Sequence, residues 1–138
     1  NDKKFKKYNL LINNNNFLNQ LISNVSSTLR FVKQGKSNSV ILNYDEKSEN
    51  FFKWYQQLIA ESLGKKSKGI LPVISTMPKD NHSLMQLYLD GPKNNFYTFF
   101  IVRENKSEKI KKDNLLKSYQ YLKNKSLYEI LDSQREAT

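Results

Sequence analysis

Two side chains suited to proton transfer stand out in this chain. Glu61 lies in Trp54-Tyr-Gln-Gln-Leu-Ile-Ala-Glu-Ser-Leu-Gly-Lys65. His82, the only histidine, lies in Lys79-Asp-Asn-His-Ser-Leu-Met-Gln-Leu-Tyr-Leu-Asp-Gly-Pro92. Carboxylate and imidazole are the common general bases and acids near neutral pH. Such a pair can take a proton from one atom of a substrate and deliver it to another.

Gln57 and Glu61 are four apart, so they share one face of a helix. Trp54 lies one turn further back on that side. Phe51, Phe52, Tyr55, Leu58, Ile59 and Leu63 make this helix apolar on most sides, which predicts that it is largely buried. Gln57 and Glu61 then need partners or a cavity. Glu61 falls in the last turn, at the negative end of the helix dipole. Dipole and desolvation both disfavour a carboxylate there, which predicts a raised pKa and a base suited to neutral pH. The spacing equally allows a surface ion pair between Glu61 and Lys65.

For His82, a helix capped by Asp80 would put the ring in the first turn. The positive helix end disfavours imidazolium and leaves a neutral ring able to shuttle protons. Gln86 follows one turn later on the same face. Capping or packing alone is the plainer role for such a histidine.

Other chemistries lack their residues. One histidine excludes a two-histidine zinc motif, and no glycine-rich phosphate loop is present. No G-x-S-x-G elbow occurs either. Phe96, Tyr97, Phe99 and Phe100 could form a base-stacking sheet, but a buried strand accounts for them more simply.

The elements that must position these groups follow from hydrophobic spacing. Phe17, Leu18, Leu21, Ile22, Val25, Leu29 and Val32 recur at helical spacing, after an Asn13–Asn16 loop that can cap the helix and before Gly35, which can end it. Ser39–Tyr44 reads as a buried strand. A helix runs from about Ser48 to Leu63, with Ser48 as cap and Gly64 just past its end. Gly69–Thr76 reads as a strand at an edge or bulge, because Pro72 lacks a backbone donor. Pro78 and Asp80 open a short helix that Gly91-Pro92 closes. Asn95–Val102 is the clearest strand. Helical patterns recur at Leu115–Leu122 and Ser126–Thr138. This alternation predicts an α/β fold, a three-layer αβα sandwich with a mainly parallel sheet. Ligands of such sheets bind outside the carboxyl ends of the strands.

Composition sets the outer bounds. The 138 residues, 38% hydrophobic and 12% aromatic, suffice for one modest core. The chain has no cysteine, hence no disulfide and no thiolate metal site. No segment reaches the roughly 20 apolar residues of a membrane span, and Asn1–Lys7 is no secretory signal. The net charge of +10 invites a nucleic-acid reading. The lysines are dispersed over Lys3–Lys7, Lys65–Lys68, Lys106–Lys112 and Lys117–Lys125, however. Their abundance, with that of Asn, is what an AT-rich genome produces. Residue 1 is not Met, and the last residues stop inside a helical pattern, which together lead us to expect a fragment.

The two segments around Glu61 and His82 closely resemble the glucose-6-phosphate isomerase family, in its bacterial form. Gln57-x-x-x-Glu61-Ser62-x-Gly64-Lys65 is similar to the family segment that carries the catalytic base. Asp80-Asn81-His82-Ser83 through Gln86 is similar to the segment that carries the catalytic histidine. The resemblance is densest over residues 38–102 and weaker over 17–34 and 125–138. It implies that residues 1–138 form part of a second sugar-isomerase (SIS) domain, incomplete, without the first SIS domain and the C-terminal segment. Glucose 6-phosphate and fructose 6-phosphate would be interconverted in the cytoplasm. His82 would assist ring opening, Glu61 would carry a proton from C2 to C1 through a cis-enediol, and Gln57 would bind substrate beside it. No metal or organic cofactor is implied.

The resemblance also implies what is missing. The phosphate-binding Ser/Thr loops, an enediolate-stabilising arginine and a catalytic lysine belong to parts of the family that this chain does not match. The family is a homodimer in which the matching histidine serves the partner subunit, so the isolated chain is expected to be inactive. Two other readings stand beside this one, a non-catalytic SIS module that binds a sugar phosphate and a basic nucleic-acid-binding domain.

Overall fold

The computed structural model describes residues 2–103, 108–111 and 115–138. Part of the basic run Lys106–Lys112 therefore lies outside the described residues, as do most side chains of Lys3–Lys7. The chain divides into two units, residues 1–37 and 38–138.

The first unit is a pair of helices, α1 (Asp2–Ile12) and α2 (Asn15–Lys33). The hydrophobic spacing signals α2 but not α1. As expected, an asparagine caps α2: the Asn14 side chain accepts from the N–H groups of Asn16 and Phe17 at 2.9 and 3.2 Å. Gly35, at φ +82°, ends it. There the N–H of Lys36 reaches the Phe31 carbonyl and that of Gly35 the Val32 carbonyl, both at 3.0 Å. This is the Schellman closure that a left-handed glycine permits.

The second unit is a parallel sheet with helices on both faces. Strands β1 (Asn38–Asn43), β2 (Leu71–Thr76) and β3 (Asn95–Phe100) lie in the order β2-β1-β3. Asn38 pairs with Leu71 on one side and Asn95 on the other, and Asn43 with Thr76 and Phe100. Strand β1 is central and almost wholly buried, as its uninterrupted apolar run predicts. Pro72 sits on the edge strand β2, where a missing N–H costs no ladder bond. Strand β3 is the other edge. Only Phe96 is buried there, while Tyr97 and Phe99 are exposed, so the buried strand expected at Asn95–Val102 is a half-covered edge.

Side-chain alternation assigns the two faces. On one face α3 (Glu49–Leu63) packs Phe52 edge-on against Phe100, with ring centroids 4.8 Å apart. On the other, Val40, Leu42, Tyr44 and Met77 form the core cluster, with Met85 and Tyr88 packed against it. Met85 and Tyr88 belong to α5 (Met85–Asp90), which follows α4 (Lys79–Ser83). The sequence predicts one helix here. Leu84, at φ −117°, divides it, although its N–H still bonds the Asp80 carbonyl at 2.8 Å.

The pattern at Leu115–Leu122 predicts an α-helix, and the structure has a 3-10 helix over Lys117–Leu122 instead. Helix α6 (Leu127–Ala137) is opened by a reciprocal cap between Ser126 and Glu129. Its far end is tied to the residue just past β1, where Tyr44 Oη donates to Thr138 Oγ1 at 2.9 Å. No helix among the described residues is long and apolar enough to cross a membrane.

Candidate active site

Helix α3 leaves the carboxyl end of β1 and returns to the amino end of β2. Phe52, in its first turn, touches Phe100 at the last position of β3. Gln56 Nε2 donates to the Pro72 carbonyl at 2.7 Å, near the start of β2. Glu61 is five residues further on and so stands past the amino ends of the strands. The expected cap at the start of α3 is absent, because Ser48 Oγ turns back to the Asp45 carboxylate.

Gln57 and Glu61 meet as their spacing predicts, with Gln57 Nε2 donating to Glu61 Oε1 at 2.9 Å. The surroundings differ from the expectation. Both residues lie toward the solvent side of α3, and Phe51, Trp54 and Leu58 are exposed. Only Phe52 is buried along this helix. One side of α3 meets the sheet, and no described part of the second unit covers the other. The ion pair with Lys65 does not form among the described residues. The neutral amide of Gln57 takes its place.

His82 lies in α4 and is exposed. Asp80 does not cap this helix, whose N-cap is Pro78. Its carboxylate reaches back instead to accept the N–H of Thr76, the last residue of β2, at 2.8 Å. It also accepts from Ser83 Oγ at 3.3 Å. Asp80 therefore clamps the start of α4 to the strand end and places His82. Sequence reasoning missed this role, although the Thr76–Asp80 spacing across a proline was its signal. Gln86 belongs to the next helix and donates to Asp90 at 2.7 Å.

The two candidate groups do not converge. From Pro72 to Thr76, β2 alone spans about 13 Å at ~3.3 Å per residue. Glu61 lies beyond the first of these residues, and His82 follows the last. Helix α3 covers one sheet face, whereas the connection bearing His82 runs into α5 on the opposite face. Among the described residues no group of three or more His, Cys, Asp and Glu side chains is placed to hold a metal ion.

Comparison with known proteins bears on what this arrangement serves. The chain matches no protein-family model. It is 50% identical over 72 residues to the glucose-6-phosphate isomerase of Methanocaldococcus jannaschii, a match covering 52% of this chain and 18% of that protein. The glucose-6-phosphate isomerase of Mycoplasmopsis pulmonis is 36% identical over 138 residues, covering 96% of this chain and 32% of that protein. The chain is similar to a segment of glucose-6-phosphate isomerase. The enzyme of that name from Campylobacter jejuni agrees, at 39% identity over 105 residues, 72% of this chain and 26% of its own. The chain thus spans 18% to 32% of the length of these isomerases. Among solved structures, a hypothetical protein from Thermus thermophilus superposes with a TM-score of 0.71 at 27% identity, over 81% of this chain and 28% of that one.

Proposed function

We propose that this chain supplies acid–base groups to a glucose-6-phosphate isomerase, converting an aldose phosphate to its ketose isomer. Glu61 takes the proton from C2 of the open-chain sugar, leaving a cis-enediol, and returns it to C1. His82 exchanges a proton with the ring oxygen as the ring opens and closes. Gln57 stands beside the base and contacts substrate. The reading rests chiefly on one observation, 36% identity to a curated isomerase over 96% of the chain.

The separation of Glu61 and His82 fits a site shared between two copies of a homodimer. In such a dimer, Glu61 of one copy faces His82 of the other. Residues 1–138 correspond on this reading to part of a second SIS domain, acting in the cytoplasm on a sugar phosphate rather than on nucleic acid. The isolated chain is then inactive, because one copy does not assemble the pair.

The test is isomerisation by a complete isomerase carrying this segment, with C2-deuterated substrate. Glu61→Gln removes the base and should lower kcat by about 100-fold or more, the usual contribution of a positioned general base. It should also stop loss of the C2 label to solvent. Wild-type turnover by Glu61→Gln, or robust turnover by the isolated 138 residues, would sink the reading.

A further inference from the structure

His82 rides on α4, a helix of five residues. A helix that short does not hold itself together in water. Its N-cap, Pro78, makes no side-chain bond. Two backbone bonds close its turn, from the Asn81 N–H to the Pro78 carbonyl at 3.0 Å and from the Leu84 N–H to the Asp80 carbonyl at 2.8 Å. These bonds shape the turn without fixing it to the sheet.

The end of β2 is firm by contrast. Thr76 pairs with Asn43 of β1, and the following N–H, that of Met77, bonds the Asn43 carbonyl at 2.8 Å. Asn43 is fully buried, and its side-chain amide exchanges two bonds of 3.0 Å with the Asp45 backbone. Successive N–H groups of a strand point to opposite sides. That of Thr76 therefore points away from β1, to the open side of an edge strand, where the ladder offers no acceptor. Asp80 Oδ2 accepts it at 2.8 Å, and Asp80 Oδ1 accepts from Ser83 Oγ at 3.3 Å. Bonds to a carboxylate are among the stronger hydrogen bonds. One half-buried carboxylate thus links a rigid strand end to the last residue of α4.

At 3.6 residues per turn, positions two apart stand about 200° apart around a helix. Asp80 turns to the strand, and His82 lies across the turn, exposed. We infer that Asp80 is a positioning residue for His82 and through it controls ring opening rather than the transfer from C2 to C1. This rests on the role proposed above for His82. Ring opening gives the ring oxygen a proton, breaks its bond to the anomeric carbon and takes a proton from the anomeric hydroxyl. The proton donor must therefore stand at the ring oxygen, and a displacement of about 1 Å costs such a group much of its effect. Asp80 touches neither substrate nor imidazole and acts only by where it holds the turn.

The experiment uses a complete isomerase carrying this segment. Exchange between the α and β anomers of glucose 6-phosphate, read by two-dimensional exchange NMR, needs ring opening but no transfer from C2. Asp80→Ala should slow it about 10- to 100-fold. Asp80→Asn, whose Oδ1 can still accept the Thr76 N–H, should stay within a few-fold of wild type. Joined to His82→Ala, Asp80→Ala should add no further loss, because a group that acts through His82 then has nothing to act on. A further, additive loss would mark a merely structural role and overturn the inference. Where circular dichroism shows Asp80→Ala unfolded, Asp80→Glu replaces it, keeping the charge but displacing the carboxylate by one methylene. Wild-type exchange in whichever of the two folds also overturns the inference. Loss in His82→Ala without loss at Asp80 sinks this inference alone. Wild-type exchange in His82→Ala sinks the role proposed for His82, and this inference with it.

Discussion

Glu61 and His82 stand at opposite ends of β2 and belong to connections that cover opposite faces of the sheet. Helix α3 carries Glu61 past the amino end of the strand, beyond the Gln56–Pro72 hydrogen bond. Asp80 holds the start of α4 to Thr76 at the carboxyl end, two residues before His82. A parallel sheet imposes this. Each connection must return over a face to the starting edge, so the end of one helix and the start of the next are a strand length apart.

A site shared between copies therefore predicts complementation. In a complete isomerase carrying this segment, Glu61→Gln and His82→Ala homodimers should each be inactive. Random pairing of the two should restore about a quarter of wild-type activity, because half of the dimers are mixed and each mixed dimer has one intact site of two. Purified variants would be dissociated, mixed and assayed. No recovery by dimers shown to be mixed would contradict a shared site.

The Ser126–Glu129 cap makes α6 sensitive to acid. Glu129 accepts the Ser126 N–H at 2.6 Å, and its own N–H bonds Ser126 Oγ at 3.1 Å. The Ser126 backbone and then its hydroxyl hold the Glu129 carboxyl below its ordinary value. A depressed folded-state pKa means that this contribution is present above the unfolded-state pKa and is lost as pH falls through the folded value. Protection of amides at the start of α6 against hydrogen exchange, corrected for the intrinsic pH dependence of exchange, should fall below about pH 4. Ser126→Ala should cost about 1 kcal/mol at neutral pH, measured by denaturant melts.

Tyr88 makes the opposite face sensitive to alkali. Burial raises its pKa most, the Ser75 hydroxyl opposes that, and the Asp80 carboxylate and Tyr97 add to the rise. Ser75 Oγ lies 2.5 Å from Tyr88 Oη and is itself fully buried. A phenol raised above its unfolded value stabilises the fold up to the unfolded pKa, near 10, and this is lost as pH climbs through the folded one. Ultraviolet titration should show one tyrosine ionising late. In Ser75→Ala the opposing hydrogen bond is gone, and that ionisation should move to still higher pH.

The turn between Lys65 and Lys68, whose backbones exchange hydrogen bonds past the end of α3, carries backbone strain that substitution can relieve. Left-handed backbone costs a non-glycine residue about 1 kcal/mol or more. Replacing Ser67, at φ 59°, with glycine should stabilise the fold by ~0.5 kcal/mol, after the extra chain entropy that glycine loses. Thermal melts of Ser67→Gly against the parent check this. An unchanged or lower Tm would mean that the turn is not held as described.

Much of this protein was legible in residue spacing alone. The alternation of elements from Ser39 to Val102, the Asn14 cap and Gly35 stop of α2, and the meeting of Gln57 with Glu61 all depend on contacts within a few residues, and Pro72 signalled an edge because it lacks a backbone donor. Local geometry settles such contacts before any long-range packing forms. The resemblance of the Glu61 and His82 segments to the isomerases was likewise visible in the chain, and similarity to curated relatives carries it.

Tertiary structure decided what covers what. The apolar residues of α3 predict burial, yet Phe51, Trp54 and Leu58 are exposed because the sheet takes only the side that bears Phe52. The aromatic run of β3 predicts a buried strand, and strand order makes it an edge. Asp80 reads as a cap until Thr76 offers its N–H across the turn. Hydrophobic periodicity shows that a face seeks a partner. It does not supply one, because burial and shared sites depend on which elements, or which copies, arrive on the other side.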